Sequence, residues 1–209
     1  MADHSRGEHS VILAPAAPHD TPAAIALLLG LPGGLTEIFP RRAVAERVAR
    51  AMFESNGTVF GYAHALVARA AGRPVGIVVR FPGVVWRRLR LTTGSTMVRA
   101  AGVHAPAVVW RGSRQGRLMP PVPAGFMYVP VLAVQPDHRR RGIATRLLRE
   151  VIGEAERAGG AGVALDVGAA NRAAIAVYRS VGFEVVGRRA IPPGRGLRIL
   201  SSLRMERRA

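Results

Sequence analysis

Arg139-Arg140-Arg141-Gly142-Ile143-Ala144 carries the strongest local signal for the fold of this 209-residue chain. It separates an uncharged run, Tyr128 to Val134, from a segment in which apolar residues recur every three or four positions. The run is rich in β-branched residues, which is typical of a buried strand. The segment after it puts its apolar residues on one face of a helix, and these are Ala144, Leu147, Leu148, Val151, Ile152 and Ala155. The sequence therefore predicts a strand, a turn that contains glycine, and the start of a helix.

This predicted helix start is suited to bind phosphate. The first amide groups of a helix have no intrahelical acceptor and carry partial positive charge. Gly142 allows an anion to approach the backbone closely, the small Ala144 keeps the first turn open, and three arginines add positive charge. Many α/β proteins use such a turn only as a connection, and a run of arginines is often a solvated charge cluster. The turn therefore indicates a pyrophosphate site only together with a second motif.

The second motif runs from Asn171 to Phe183 and follows another apolar strand, Gly162 to Val167. Asn171 can cap the amino end of a short helix, and Gly182 can end that helix in the left-handed conformation. The two motifs, in this order and about 30 residues apart, resemble those of the GNAT-type N-acetyltransferase family. The family signature is Gln/Arg-x-x-Gly-x-Gly/Ala followed by Asn-x-x-Ala-x-x-x-Tyr-x-x-x-Gly-Phe, and the matching residues are Arg139, Gly142, Ala144, Asn171, Ala174, Tyr178, Gly182 and Phe183.

The resemblance, which extends from about Phe126 to Val186, implies an α/β (α+β) fold of the GNAT acyl-CoA N-acyltransferase type. Such a fold has a mixed, mainly antiparallel sheet flanked by helices. In that family the two parallel strands at the motifs splay apart, and the pantetheine arm of the cofactor lies between them. The local patterns predict the element order βααβββαβαββ in one domain, residues 1–209, with residues 1–9 frayed.

Turn and capping signals bound the remaining elements. They predict a strand at 10–14, helices at about 21–29 and 42–55 with a loop at 31–40 between them, a hairpin of strands 58–69 and 73–81, and a closing hairpin of strands 183–191 and 196–205 around Pro192-Pro193-Gly194. Residues 82–124 are an insertion where the family has a short turn. Within it, 84–101 has a helical pattern that Thr92 to Ser95 weaken. A segment this long is expected to form a substrate-side lid or a contact surface for a membrane or a second copy, which would make a homodimer.

The resemblance also implies a reaction, the transfer of an acetyl group from acetyl-CoA to a primary amine. Direct attack by the amine is expected because the chain has no cysteine to carry an acyl group. In the implied site, backbone groups of Leu132, Ala133 and Val134 bond the pantetheine arm and the acetyl carbonyl. Arg139 begins the anion-binding turn, and the pyrophosphate is held by the backbone amides of Arg140, Arg141, Gly142, Ile143, Ala144 and Thr145. Asn171 contacts the pantetheine, and Tyr178 protonates the leaving thiolate. Asn171 as a plain helix cap and Tyr178 as a plain core aromatic remain alternatives.

The general base is less determined by these patterns. Glu37, in the loop between the first two helices where the family places its acceptor, and Asp166, in the second motif strand, are the first candidates. Tyr128 and His64 are further candidates, although a lone histidine in an apolar strand is more often a packed residue. No metal site is expected, since the six histidines are scattered and none has ligand spacing.

Composition limits the class of protein. Without cysteine the chain has no disulfide framework, no apolar run is long enough to span a bilayer, and the mixed charges at its start do not fit a secretory signal. A cytoplasmic protein is therefore expected.

The net charge is +17, and between Ser55 and Pro136 there are ten arginines and no acidic residue. Such a region attracts anions and repels polyamines.

Two other functions are compatible with the same sequence. The first is a non-catalytic acyl-CoA-binding sensor or interaction module that kept the fold. The second is acylation of an RNA-associated acceptor, such as aminoacyl-tRNA or a ribosomal protein, where positive charge would help docking. The sequence has no aromatic–basic motif for nucleic acid, so a small-molecule or peptide amine is the first choice of acceptor.

Overall fold

The computed structural model describes residues 11–31, 35–39, 41–192 and 200–209. In this part of the chain seven strands form one sheet, in the order β1-β2-β3-β4-β5-β7-β6. The strands are β1 Ile12–Pro15, β2 Ala65–Ala70, β3 Arg73–Pro82, β4 Phe126–Val134, β5 Gly162–Gly168, β6 Glu184–Ala190 and β7 Ser201–Arg208. Of these seven described strands only β4 and β5 pair in parallel, and the other neighbouring pairs are antiparallel. The predicted mixed, mainly antiparallel sheet is confirmed.

Helices cover both faces of this sheet. They are α1 Thr21–Leu29, α2 Leu35–Ile38, α3 Arg42–Glu54, α4 Trp86–Ala101, α5 Ala105–Gly116, α6 Ile143–Arg157 and α7 Arg172–Ser180. α1 and α3 share a hydrophobic core with one face of β2, β3 and β4, while α6 and α7 pack against the opposite face. Leu147, Leu148 and Val151 of α6 are fully buried. Each contributes about 1.5–3 kcal/mol on burial, which explains why the helix forms where its apolar spacing predicts it.

The predicted strand at 58–69 is wrong in its first half, since β2 begins at Ala65. The hydroxyl of Thr58 is buried and donates to the carbonyl of Met52 at 2.6 Å, so this residue closes the end of α3. Gly61 lies so close to Ser55 that a Cβ would be 2.3 Å from its carbonyl oxygen. This close packing, together with the bond from the Val59 amide to Thr93 of α4 at 2.9 Å, holds residues 58–64 in turns although their composition favours a strand.

Other boundaries differ less. The hairpin between β2 and β3 turns at Ala71 and Gly72, both with positive φ, as a two-residue turn between antiparallel strands requires. The predicted loop at 31–40 contains α2, and the rest of it falls largely outside the described residues. Residues 1–9 and most of the closing turn, from Pro193 onward, also lie outside them.

The insertion at 82–124 is not a loop, because it contains α4 and α5. Thr93, in the part of the helix that the sequence makes weakest, donates its hydroxyl to the Leu89 carbonyl at 2.7 Å and accepts the Val59 amide at 2.9 Å. Ala101 and Val108 enter the same core as α3. Packing and side-chain hydrogen bonds thus stabilise a helix over residues of low intrinsic propensity.

Candidate active site

A β-bulge interrupts β4 at its centre. Val79 of β3 pairs with Val131, whereas Phe81 pairs with Tyr128, so Arg80 alone lies opposite both Val129 and Pro130. One extra residue on one strand of an antiparallel pair defines such a bulge. Proline cannot donate a ladder hydrogen bond and is confined in sheets to edges and bulges. Pro130 is therefore the local signal for this irregularity, which the prediction of an uninterrupted strand missed.

The bulge reverses the side-chain alternation of β4. Met127 and Val129 pack with α6, but Val131 and Ala133 pack with α1 and α3. Beside the bulge the parallel pairing of β4 with β5 ends at Val129 and Leu165. β4 continues for five more residues and β5 for three. The two strands thus part at the bulge, as expected, and among the described residues no strand pairs with the end of β4 on that side.

The turn after β4 presents the start of α6 to solvent. Gly142 is the N-cap residue, with φ of 73°, and the side chains of Arg139, Arg140 and Arg141 are exposed. Arg140 also has positive φ, 61°, a strained conformation for a residue with a side chain, and such residues cluster at functional sites. The first amide groups of α6 have no acceptor within the helix. The turn is therefore shaped as an anion-binding concavity.

Arg139 is attached to the end of β4. Its Nε donates to the Val134 carbonyl at 3.1 Å, and its amide donates to Pro136 at 3.2 Å. A Cβ added to Gly142 would meet nothing within 4 Å, so the space above this residue is open. The guanidinium of Arg139 thus fixes the turn relative to the strand, while Gly142 leaves room for a ligand.

The second motif has the local geometry that its sequence predicts. The side chain of Asn171 accepts the Ala174 amide at 3.1 Å and caps α7. Gly182 ends the helix region with φ of 89°. Tyr178 is buried and its ring contacts Phe183 at 6.0 Å between centroids. Burial raises the pKa of Tyr178 to about 12, so its hydroxyl keeps its proton at neutral pH.

Asp166 lies on β5 one residue beyond the last pair with β4. Its register partner on β7 is Arg204, and the guanidinium donates to both carboxylate oxygens, at 2.9 and 2.8 Å. The hydroxyl of Tyr128 donates to the same carboxylate at 2.8 Å. Burial and the charge of Asp166 raise the pKa of Tyr128 well above its ordinary value, so this phenol stays neutral. Burial lowers the pKa of Arg204, but its contacts with Asp166, together with the charges of Tyr128 and Glu206, raise it by more.

These contacts bear on the candidates for the general base. The Asp166 carboxylate already accepts a bidentate guanidinium and a phenol, so its contacts favour a positioning role, while its role as base stays a prediction. Glu37 belongs to α2, but its side chain lies outside the described residues. Sequence reasoning passed over Arg204, because one arginine among thirty cationic residues carries no local signal.

His64 lies on the same face of the sheet as Tyr128. Its ring contacts Phe81 at 5.8 Å between centroids, and Phe81 contacts Tyr128 at 5.7 Å. Burial and then the positive charge of Arg80 lower the pKa of His64, partly opposed by a hydrogen bond to the Asn56 backbone. Its Nε2 is buried and has no hydrogen-bond partner within the described part of the chain. A neutral imidazole with a free nitrogen can accept a proton.

The chain matches the family model of the acetyltransferase (GNAT) family over residues 35–183. It therefore belongs to the GNAT acetyltransferase family. Among curated proteins it is 42% identical over 98 residues to the N-alpha-acetyltransferase RimI of Mycobacterium tuberculosis, a match that covers 46% of this chain and 51% of that protein. It is 48% identical over 52 residues to the ribosomal protein bS18-alanine N-acetyltransferase of Escherichia coli K12, over 25% of this chain and 35% of that protein. The chain thus spans about half the length, or less, of these relatives.

Solved structures share the fold over nearly the whole chain. An N-acetyltransferase from Staphylococcus aureus Mu50 has a TM-score of 0.66 at 18% identity, and the match covers 93% of this chain and 99% of the Staphylococcus chain. A ribosomal-protein-alanine N-acetyltransferase from Brucella melitensis has a TM-score of 0.60 at 20% identity, over 95% and 99% of the two chains. At such low identity the likeness shows the fold alone.

Proposed function

We propose that this protein transfers an acetyl group from acetyl-CoA to the α-amine at the amino end of a peptide or protein, in the cytoplasm. The observation that carries the proposal is the bulge at Val129–Pro130, which parts β4 from β5 directly before an anion-binding helix start. Curated relatives named for the acetylation of alanine and of α-amines support this class of acceptor. The acidic-residue-free middle of the chain favours acceptors without clustered positive charge.

The free edge of β4 and the start of α6 are the proposed cofactor seat. The pantetheine arm would lie along β4 as an added strand does, on backbone groups of Leu132, Ala133 and Val134. The amides from Arg140 to Thr145 would hold the pyrophosphate, and Asn171 would contact the pantetheine beside its capping bond. The open space above Gly142 and the unpaired side of β4 fit such a group. When bound, acetyl-CoA supplies the activated acyl group.

Tyr178 is the proposed general acid. Its buried hydroxyl holds a proton because burial raises its pKa to about 12. It lies on α7, whose amino end is the Asn171 cap, so one short helix carries both second-motif candidates. In the proposed role, the Tyr178 hydroxyl delivers its proton to the departing sulfur as the amine attacks.

The face of the sheet opposite α6 and α7 is proposed to receive the acceptor, with α4 and α5 as the wall of its binding site. Phe81 and Tyr128 pack with Leu89 of α4 and Val122. Arg204 also donates to the Pro120 carbonyl at 2.9 Å, and Ser202 donates to that of Leu118 at 2.8 Å. These bonds attach the returning end of the insertion to β7 next to Asp166. The lid function of the insertion is supported by this attachment.

Thiol release from acetyl-CoA across a panel of amines tests the proposed function. We expect turnover with short peptides that have a free amino end, and little with spermidine or with the same peptides blocked at that end. CoA binding without turnover on any amine would favour the sensor instead. Absence of CoA binding in calorimetry would contradict both the acetyltransferase and the sensor.

Gly142→Ala should weaken CoA binding by about tenfold or more, since a methyl group would stand where phosphate approaches the amides and about 1.4 kcal/mol corresponds to tenfold. Gly72→Ala is the matched control, because Gly72 also has positive φ, 76°, and open space around it but lies in the β2–β3 turn. Both variants carry the same backbone strain, so both should lose similar unfolding free energy. Calorimetry with CoA separates them, and equal affinities would contradict the proposed seat.

His64→Gln tests the base. If the neutral imidazole accepts the amine proton, kcat/KM of the wild type falls as the pH drops through the lowered pKa of His64, because protonated histidine cannot act as a base. His64→Gln should remove this acid limb and lower activity by about 10²-fold. His19→Gln, at a largely exposed imidazole next to Asp20, is the control. An acid limb that persists in His64→Gln would point to Glu37 or Asp166.

A further inference from the structure

The outer faces of α4 and α5 combine exposed apolar side chains with arginines. In the described part of the chain ten large apolar residues are exposed, and seven of them lie in the insertion: Val84, Leu91, Val98, Val103, Val109, Trp110 and Met119. Leu91 and Val98 are seven residues apart and so share one face of α4. Arg87, Arg88 and Arg99 are exposed around them. We call the exposed residues of 84–119 the outer surface.

The outer surface is positively charged without compensation. The insertion contains seven arginines and no acidic residue. Within the described residues, none of the ion pairs involves an arginine of the insertion. Its arginine contacts are instead with aromatic rings and carbonyl groups, as when Arg114 lies 5.5 Å over the Trp110 ring and donates to Pro192. A surface of this kind attracts a polyanion.

We propose that the outer surface docks this protein onto an anionic phospholipid bilayer. Arginine guanidinium groups bind headgroup phosphates, and their stems run along apolar surface while the charge stays in water. Leucine, valine and tryptophan side chains enter the boundary between headgroups and acyl chains, where tryptophan is favoured. Among the described residues no helix is long and apolar enough to cross a bilayer, so the contact is interfacial.

A second copy of the chain and a nucleic acid fit the outer surface less well. In a symmetric dimer the same patch meets itself, and the five exposed arginines of each copy would then face the same five without a carboxylate between them. Nucleic acid would satisfy the arginines, but it offers no apolar layer for Leu91, Val103 and Val109, which are 71%, 93% and 52% exposed. A bilayer surface accommodates both kinds of side chain.

Co-sedimentation of the full chain with vesicles tests the proposal. We expect binding to phosphatidylcholine vesicles that contain phosphatidylglycerol, weak binding to phosphatidylcholine alone, and a decrease with added salt. Arg87→Gln/Arg88→Gln/Arg99→Gln should lower the partition coefficient about 100-fold, since each arginine near an anionic surface contributes about fivefold. Leu91→Ser/Val103→Ser/Trp110→Ser, which keeps every charge, should lower it about tenfold or more.

A matched control lies on β6. Val185→Ser/Val186→Ser/Arg188→Gln/Arg189→Gln removes exposed apolar and basic side chains of the same kinds from another surface and should bind as the wild type does. The chain has two tryptophans, so the fluorescence of a Trp86→Phe variant reports Trp110 and should shift to the blue on anionic vesicles. Unchanged CoA binding shows that each variant is folded, independently of the acceptor.

Four results would overturn the proposal. Two of them concern the ligand: equal binding to neutral and anionic vesicles, and binding to single-stranded RNA without binding to vesicles. The third is unchanged vesicle binding of the apolar variant. The fourth is a wild-type dimer in sedimentation velocity that is a monomer in the apolar variant. The first result would contradict the preference for anionic lipid, the second the binding of lipid, and the third the apolar contact with the bilayer. The last would assign the outer surface to a second copy.

Discussion

Tyr178→Phe should lower kcat by about 10²–10⁴-fold while the dissociation constant of CoA stays nearly unchanged. The substitution removes one oxygen from a buried ring that packs against Phe183, so the packing of α7 is retained. What is lost is the proton held at the hydroxyl, which the proposed mechanism needs only when the sulfur departs. An effect confined to the reacting state appears in kcat rather than in binding.

Steady-state kinetics with a peptide acceptor and calorimetry with CoA measure the two quantities separately. Tyr62→Phe is the matched control, because it also removes a tyrosine hydroxyl, one that accepts a hydrogen bond from Asn56 at 3.2 Å. Since the pKa of Tyr178 is about 12, deprotonation of this group should not limit the rate at pH 9. Turnover of Tyr178→Phe at the wild-type rate would make Tyr178 a core aromatic only.

Arg204→Met should lower the free energy of unfolding by about 3–5 kcal/mol, because it removes one partner of a buried ion pair. The side chains of Arg204 and Asp166 are only 8% and 6% exposed. Without the guanidinium, the Asp166 carboxylate keeps only the Tyr128 hydroxyl, and the Pro120 carbonyl loses its donor. The loss therefore combines an unpaired buried charge with the loss of the Arg204 bond between β7 and the insertion, while the Ser202 bond to Leu118 remains.

Arg207→Met is the matched control for this prediction. Arg207 lies on the same strand and pairs with Glu156 at 2.9 Å, but both side chains are partly exposed, so its loss should stay below about 1 kcal/mol. Arg204→Met/Asp166→Leu removes both buried charges and should recover much of the stability. Urea titrations measure all three, and equal losses in Arg204→Met and Arg207→Met would contradict the structural role of the pair.

Local signals in the sequence were sufficient to predict the elements around the proposed cofactor seat. The apolar spacing after Gly142 matches the buried face of α6, Asn171 caps α7, and Gly142 and Gly182 both have positive φ. Each of these features depends on residues within a few positions of one another, so spacing and capping preferences are enough to find them. Their roles toward cofactor and acceptor stay predictions.

The insertion and the start of β2 could not be predicted in this way. Thr92 to Ser95 weaken a helix locally, yet α4 passes through them because Thr93 bonds Val59 and α4 packs on α3. Residues 58–64 have strand-like composition, but the bond of the Val59 amide to Thr93 of α4 and the packing of Gly61 on Ser55 hold them in turns. In both segments tertiary packing outweighs intrinsic preference, which amounts to only about 0.7 kcal/mol per ordinary residue.

The acceptor side depends most on long-range contacts. Sequence spacing identifies Asp166 as an acidic residue in an apolar strand, but the register of β5 with β7 selects Arg204 as its partner from among thirty cationic side chains. Pro130 is visible in the sequence, whereas its consequence, the parting of β4 from β5, follows from how β4 pairs with β3. Patterns along the chain report the conformation of a segment; which charges meet, and which strand edges stay open, depends on residues far apart in sequence that become neighbours only in the folded sheet.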